Sequence, residues 1–330
     1  MPSYRAPPLG VFPGAVVGVG SVDRETYRGR FAPSPTGRLH LGTARSALLG
    51  WLRARQQGGA FVLRVEDLDA PRVQPGAAEA MLDDLRWLGL DWDEGPDVGG
   101  PHGPYVQSER LDRYRAALER LEEGGHTYPC TCSRKEIARI ASAPHGDDGP
   151  VYPGLCRAGP RHPDRDPAIR LRMPEPPPSF DDRLAGPSPA GLGRGDFVVS
   201  RKDGVVAYQL ACVVDDHEMA ITEVLRGDDL LSSTPRQIAL YRAFGWEVPA
   251  FLHVPLVLGA DGERLAKRHG SISLAELRER GWTPERVVGH LAHTAGLLPG
   301  DEPITPRELV AAFDLANLRR EAAVVDPDRP

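Results

Sequence analysis

Apolar residues recur along this chain with two periods. Leu41, Ala44, Leu48, Trp51 and Leu52 fall on one face of a helix that Gly58-Gly59 ends. Met81, Leu82, Leu85 and Leu88 mark a second helix, and Leu111, Tyr114, Leu118 and Leu121 a third, ended by Gly124-Gly125. Between them lie short β-rich runs, Tyr27 to Phe31 and Ala60 to Val65, the latter closing on Glu66-Asp67. This alternation from Arg30 to Gly125 predicts a parallel sheet with covering helices, an α/β architecture.

The pattern breaks at Tyr128. Twelve of the 33 prolines lie between Pro144 and Pro189, which excludes a buried helical layer and predicts a loop-rich insertion over 128–195. Ser133-x-x-Glu136 would cap one short helix in it. Phe197 to Tyr208 reads as a hairpin turned at Asp203-Gly204. Regular pattern then resumes: an apolar stretch to Val214, a strand near Ile221 to Leu225, a helix from Pro235 to Phe244 capped by Ser232-Ser233-Thr234, and a strand from Val254 to Leu258. Ser273-x-x-Glu276 and Thr283-Pro284 open two later helices, the second carrying Val287, Leu291 and Ala295. The expected organisation is a disordered extension (1–27), a split α/β domain (28–127 and 196–262), the insertion (128–195), and a loop followed by a short helical region (263–330).

At 330 residues the chain has ample length for such a core, and no run of about 18 apolar residues suggests a membrane span. Met1 to Ser21 is apolar but interrupted by Pro7, Pro8 and Pro13, with Arg5 its one basic residue, so a secretory peptide is not expected and the chain reads as cytoplasmic. A net charge of −6 argues against broad electrostatic binding of nucleic acid while leaving room for a local basic patch. Cys130, Cys132 and Cys156 cluster, which in a cytoplasmic protein favours a metal over a disulfide. An insertion with little core of its own would gain most from such a metal. His126 or His145 could complete the ligand set, or the thiols could stay free; Cys212, in an apolar segment, reads as a small core residue.

Two segments carry phosphate chemistry. Arg30-Phe31-Ala32-Pro33-Ser34-Pro35-Thr36-Gly37-Arg38-Leu39-His40-Leu41-Gly42-Thr43 ends a strand, makes a stiff Pro/Gly turn and opens a helix, whose free N–H groups suit phosphate. Glu263-Arg264-Leu265-Ala266-Lys267-Arg268 is densely positive after an Asp261-Gly262 turn. Asp215 and Asp216, taken as strand neighbours with opposed side chains, read as loop or cap residues near an ATP ribose, and His217 has no defined partner. Asp67 and Asp69 read as surface carboxylates.

The Arg30–Gly42 run resembles the first signature of class I aminoacyl-tRNA synthetases, in its glutamyl form, with Thr43 where the family usually has a second histidine. Arg264-Leu265-Ala266-Lys267-Arg268 resembles the second signature, and the likeness extends through Arg64-Val65-Glu66-Asp67, Tyr208-Gln209-Leu210-Ala211 and Glu223 to Gln237. The resemblance implies a Rossmann-like class I catalytic core with a small zinc-binding insertion and a short C-terminal helical region. It implies that Arg30, Phe31, Ala32, Pro33, Ser34, Glu66, Tyr208 and Arg226 form a glutamate pocket, that His40, Gly42 and Lys267 bind ATP, and that His40 and Lys267 act in catalysis. It also implies a structural zinc on Cys130, Cys132, Tyr152 and Cys156, and Mg²⁺ with ATP. The charge count agrees: two arginines and a glutamate complement two carboxylates and an ammonium.

Some fifty residues follow Arg280, fewer than the anticodon-reading domain of glutamyl-tRNA synthetases. A core of this kind resembles the glutamyl-Q tRNA(Asp) synthetase family, which implies L-glutamate activation by ATP and transfer to queuosine at the wobble position of tRNA(Asp). A monomer that meets the anticodon arm through Arg134, Lys135 and Arg139 beside the insertion is the matching expectation. The alternatives are a minimal glutamyl-tRNA synthetase acting on tRNA(Glu), a zinc-containing RNA-binding module without catalysis, and a nucleotidyltransferase making a small-molecule adenylate.

Overall fold

A computed structural model describes residues 27–140, 151–259 and 272–325. Residues 1–26 of the expected extension and the Lys267 loop therefore lie outside the described residues, as does His145, whereas Tyr27, placed in that extension, is buried in the core. The first half contains β1 (Arg28–Phe31), α1 (Leu41–Gln56), β2 (Ala60–Leu63), α2 (Ala77–Trp87) and α3 (Leu111–Glu123). The middle contains β3 (Thr127–Cys130), α4 (Arg134–Ile140), β4 (Ala168–Leu171), β5 (Asp181–Asp182), β6 (Gly186–Pro187) and β7 (Phe197–Ser200). The second half contains α5 (Tyr208–Glu218), β8 (Glu223–Gly227), α6 (Thr234–Phe244), β9 (Ala250–Val254) and β10 (Val257–Leu258). It closes with α7 (Leu274–Glu279), α8 (Pro284–Ala295), α9 (Pro306–Leu309) and β11 (Ala323–Val324).

β1 pairs with β2, and β8 with β9, both in parallel. The two pairs meet where the Thr222 N–H donates to the Arg28 carbonyl at 2.9 Å. Long-range assembly thus joins halves nearly two hundred residues apart into one layer. α1 lies on it, burying Leu41, Leu48, Trp51 and Leu52 in a core shared with Val287, Leu291 and Ala295 of α8. The sheet is interrupted in sequence by β3, β4 and β7, which form their own three-stranded antiparallel sheet. Ser133 caps α4 as its spacing predicts: its Oγ accepts from Glu136 N–H, and Glu136 accepts from Ser133 N–H at 2.6 Å. Ser273 and Glu276 form the same reciprocal box at α7.

Several expectations need correction. The apolar stretch to Val214 and the Asp215-Asp216 pair are helical, within α5; burial on several sides leaves no clean period in its sequence. The hairpin turned at Asp203-Gly204 is present, with Arg201 N–H donating to the Val205 carbonyl and Ala207 N–H to the Val199 carbonyl, but it ends before Tyr208, which opens α5. The strand expected near Ile221 to Leu225 runs instead over Glu223–Gly227, where Glu223 is tolerated in the core by Arg53 (2.9 Å) and Arg183 (2.8 Å). Val254 to Leu258 splits into β9 and β10 at Pro255, which has no N–H for a ladder. A 3₁₀ turn over Asp228–Ser233 leads into α6, with no side-chain cap from Ser233. The C-terminal region is not wholly helical, since β11 returns parallel to β10. Among the described residues no helix is long and apolar enough to cross a membrane.

Candidate active site

The site lies at the ends of the parallel strands, where a doubly wound sheet leaves a crevice. Arg30 comes from β1, Glu66 follows β2, Arg226 comes from β8, and Tyr208 opens α5. The loop after β1 is pinned against the one after β2: Arg64 N–H donates to the Phe31 carbonyl and Glu66 N–H to the Pro33 carbonyl, both at 3.0 Å. Gln74 N–H donates to the Pro35 carbonyl at 3.0 Å. Pro33 and Pro35 are buried while Ser34 stays exposed and Ala32 half-buried, so the turn shows one polar side chain to solvent.

Beneath this loop lies a buried ionic cluster. Asp216 Oδ1 accepts from Arg64 (2.8 Å) and Arg30 (3.3 Å). Arg64 also donates to Glu66 at 2.9 Å, and Arg30 to the Leu225 carbonyl at 3.0 Å. Asp215 takes Arg110 at 2.6 Å, Gln107 at 2.8 Å and the Tyr114 hydroxyl at 2.9 Å. The two aspartates read as loop residues are therefore the buried anions that hold the site's arginines. Successive positions on a helix differ by about 100° rather than 180°, so both reach the arginines of the layer below. Desolvation would raise Asp216, but Arg30 and Arg64 outweigh it and hold its carboxyl below the usual range. At Glu66 burial wins over Arg64 and Arg30, and the carboxyl rises above its ordinary value. Cys212 is buried beside this cluster rather than in apolar surroundings, 3.5 Å from Asp216 Oδ2, and burial pushes its thiol up to about 12.

Arg226 is held differently. It is 5% exposed, and its partners are neutral: His253 Nε2 (3.0 Å), Gln237 Oε1 (2.8 Å), Thr234 Oγ1 (2.8 Å) and the Leu230 carbonyl (3.3 Å). Among the described residues no carboxylate pairs with it. Tyr208 is 37% exposed although its phenol is desolvated and feels Arg226, Glu66 and Arg30, a combination that describes the wall of a concave site. Arg30, Glu66, Tyr208 and Arg226 are thereby brought together electrically around one crevice.

His40 is the N-cap residue of α1, with extended backbone, and it bridges Ser273 ahead of α7. A Cβ on Gly42 would meet Val257 at 3.7 Å, an ordinary contact, so packing within the chain does not require glycine there. Asp67 instead takes Ser108, at 2.8 Å from its N–H, and Asp69 is about half exposed beside Arg201, as expected of surface carboxylates. His217 does have a partner: its ring stacks on Trp246 at 3.9 Å.

In the insertion, the sulfurs of Cys130, Cys132 and Cys156 lie within 4.8 Å of one another. Cys132 and Cys156 are 3.5 Å apart, and the Tyr152 hydroxyl is 3.3 Å from Cys130 and 3.7 Å from Cys132. Tetrahedral zinc with bonds of about 2.3 Å to sulfur requires sulfurs about 3.8 Å apart, and its shorter bonds to oxygen put oxygen slightly nearer. The Cys132–Cys156 separation and the distances from the Tyr152 hydroxyl to Cys130 and Cys132 are close to those values. His126 is not part of the group. Burial raises Cys132 to about 11, whereas at Cys156 backbone N–H groups of Arg161 and Thr131 overcome desolvation and bring the thiol down to about 6. Arg134 and Lys135 are exposed on α4 nearby, and the side chain of Arg139 lies outside the described set.

Arg64, Gln237, His253 and Asp182 were not singled out from the sequence. Arg64 was legible, since its i, i+2 spacing to Glu66 puts both on one side of an extended segment. For the other three, nothing local signals the role.

A family model described as "tRNA synthetases class I (E and Q), catalytic domain" matches residues 26–328. A glutamyl-Q tRNA(Asp) synthetase of Symbiobacterium thermophilum is 59% identical over 89% of this chain and 94% of that protein. A glutamate–tRNA ligase of an Anaeromyxobacter species is 47% identical over 92% of this chain and 64% of that protein. Among solved structures, a glutamate tRNA ligase from Elizabethkingia meningosepticum, crystallised with its amino acid, superposes with a TM-score of 0.79 at 31% identity, covering 92% of this chain and 68% of that one.

Proposed function

The chain belongs to the class I tRNA synthetases of the E and Q type, and from that premise we propose that it activates L-glutamate with ATP and transfers it to queuosine in the anticodon of tRNA(Asp). The observation that carries the amino-acid assignment is Arg226, a buried guanidinium without a carboxylate partner among the described residues. Arg30, Arg64, Arg110 and Arg113 are matched by Asp215, Asp216, Glu66 and Glu218, so the surplus positive charge sits at Arg226, where a substrate carboxylate would neutralise it. Glu66, with Arg64 on Oε1, keeps an oxygen for the ammonium group. An amide in place of the carboxylate would leave the cation uncompensated, at about 1–3 kcal/mol or more because the group is charged.

In the first step a glutamate carboxylate oxygen attacks the α-phosphorus of ATP, the bond to pyrophosphate breaks, and glutamyl-adenylate forms. Mg²⁺ enters with ATP as part of the substrate. The N-terminus of α1, with His40 at its cap, supplies oriented N–H groups to the phosphates, and Gly42 leaves room for their close approach. Lys267, outside the described residues, is assigned the charge developing on those phosphates by its match to the second signature. In the second step a queuosine hydroxyl attacks the acyl carbon, AMP departs and the hydroxyl proton is released; positioning supplies much of the acceleration.

Zinc is the ion that three thiols and a phenol suit, and Cys130, Cys132, Tyr152 and Cys156 would hold it. Its contribution there is structural, closing the outer end of the insertion, where Tyr128, Ile137 and the ligands themselves form a small cluster apart from the larger core that takes Leu171, Phe197 and Val199. Exposed Arg134 and Lys135 support contact of this insertion with the anticodon arm. The choice of acceptor is supported by the 59% identity to a glutamyl-Q synthetase, against 47% to a glutamate–tRNA ligase. The test incubates the protein with labelled glutamate, ATP and tRNA(Asp) with or without queuosine. Label is expected on the modified tRNA alone; label on unmodified tRNA(Asp), or only on tRNA(Glu), would overturn the assignment.

A further inference from the structure

A guanidinium on a flexible stem holds no fixed aim without a scaffold. For Arg226 that scaffold begins with register: β8 and β9 run parallel with Arg226 opposite His253, so the two side chains leave the sheet side by side. Arg226 Nε donates to His253 Nε2 at 3.0 Å. An arginine N–H only donates, so Nε2 carries no proton and the ring hydrogen sits on Nδ1. Nδ1 in turn donates to Asp182 Oδ2 at 2.6 Å. Asp182 Oδ1 accepts from the N–H groups of Leu184 (3.0 Å) and Ala185 (2.9 Å), and the His253 N–H approaches both oxygens (3.2 and 3.1 Å). Both side chains are fully buried.

We propose that Asp182 and His253 are positioning residues for Arg226, fixing the imidazole tautomer that accepts from its guanidinium and so setting glutamate affinity. This rests on the glutamate reading of the site. Asp182 lies in β5, on a short hairpin within the proline-rich segment 128–195 that bonds to the β9 backbone, so part of the insertion docks along β9 to organise the amino-acid pocket. Anchoring the hairpin to β9 does not by itself call for the ring, because the His253 and Arg183 backbone N–H groups already tie it down. The ring is a second link, and it points the carboxylate's influence at Arg226. Burial acts first to lower His253, with Arg226 adding to it against Asp182; the ring therefore stays neutral and able to accept.

Asp182→Asn tests the tautomer. An amide N–H facing Nδ1 drives the ring hydrogen to Nε2, where Thr234 Oγ1 at 3.1 Å can take it but the Arg226 Nε–H loses its acceptor. Two further variants separate the two ends of the ring: His253→Asn keeps a donor near the Nδ1 position, and His253→Gln keeps an acceptor near Nε2. Glutamate-dependent ATP–pyrophosphate exchange is measured for all three with the full chain, alongside thermal melts. D182N and H253N are expected to raise KM for glutamate at least about tenfold with KM for ATP within about threefold, and H253Q to recover most of that loss. Equal KM for glutamate in H253N and H253Q, or parallel rises for glutamate and ATP, would overturn the proposal in favour of a packing role. No exchange by the unmodified protein would overturn the glutamate reading and the proposal with it.

Discussion

Asp216 is the anion on which the cluster turns, and its replacement by the isosteric amide has a calculable consequence. Its Oδ1 is shared by Arg64 at 2.8 Å and Arg30 at 3.3 Å, with the three side chains between 0% and 4% exposed. Asp216→Asn keeps the shape and an acceptor oxygen but removes the charge, leaving Arg30 and Arg64 with Glu66 and Asp215, the latter shared with Arg110, which also pairs with Glu218. Removing one partner of a buried pair costs about 3–5 kcal/mol, and the retained acceptor places this change near about 3. For a chain of this size each kcal/mol lowers Tm by about 2–4 °C, so a fall of about 6–12 °C is expected at pH 7. The sign with pH follows from the depressed carboxyl of the folded protein: its stabilisation is complete above the unfolded aspartate value and fades as pH falls through the lower folded one. The gap between wild type and variant should therefore be constant from pH 7 down to about 4.5, above the ordinary value of about 3.9, and shrink only below it. Thermal melts by circular dichroism at pH 7, 6 and 4.5 would check this. A Tm within 2 °C of wild type at pH 7, on the scale set by that conversion, would refute the reasoning, about 2 °C being less than 1 kcal/mol.

Gly42→Ala should leave the fold intact or strengthen it by up to about 1 kcal/mol, since α1 gains a better helix former and the new methyl finds only Val257 at 3.7 Å, yet KM for ATP should rise in the exchange assay. An unchanged KM would remove Gly42 from the nucleotide site. Cys156→Ser should abolish binding of one zinc per chain by mass spectrometry and unfold the antiparallel sheet locally, read as protease sensitivity in 128–195; retained stoichiometric zinc would exclude Cys156 as a ligand. Arg226→Gln should cut kcat/KM for glutamate by about 10²-fold or more and narrow its preference over glutamine, because the neutral partners that hold the guanidinium give the carboxylate no cation. Reversing the charge of exposed Arg134 and Lys135 should weaken tRNA binding and reduce its salt slope by about 0.7–0.9 per lost phosphate contact, measured by filter binding at several salt concentrations.

Local chemistry was legible wherever a residue's neighbours in sequence are also its neighbours in space. The turn from Phe31 to Gly37, the Ser133–Glu136 and Ser273–Glu276 capping boxes, and the clustering of Cys130, Cys132 and Cys156 are of this kind. α5 was missed for a physical reason: it is buried on the sheet side and against α6, so Leu210 to Asp216 are all covered and no polar face marks its period. That error hid Asp215 and Asp216, because a strand would have split them between faces. Asp182 was beyond reach altogether. Its partner His253 is 71 positions away, and the link exists only once the β5 hairpin has docked on β9, while Arg226 joins it through the register of β8 and β9.

The two halves of the proposed amino-acid site solve opposite electrostatic problems with the same residue type. Arg30 is fixed by an anion, Asp216, and so contributes shape and a hydrogen-bonding edge while its charge is already answered within the fold. Arg226 is fixed by an imidazole nitrogen, an amide oxygen, a hydroxyl and a carbonyl, acceptors that supply direction without neutralising it. A buried cation kept in this state is destabilising in the empty protein and is relieved by an anionic ligand, which converts desolvation into discrimination against neutral analogues. Had a carboxylate stood where His253 stands, Arg226 would be better stabilised and the proposed discrimination between glutamate and its amide would be lost. The Asp182 carboxylate is present, but one ring removed, close enough to orient the histidine and too far to form an ion pair with the arginine.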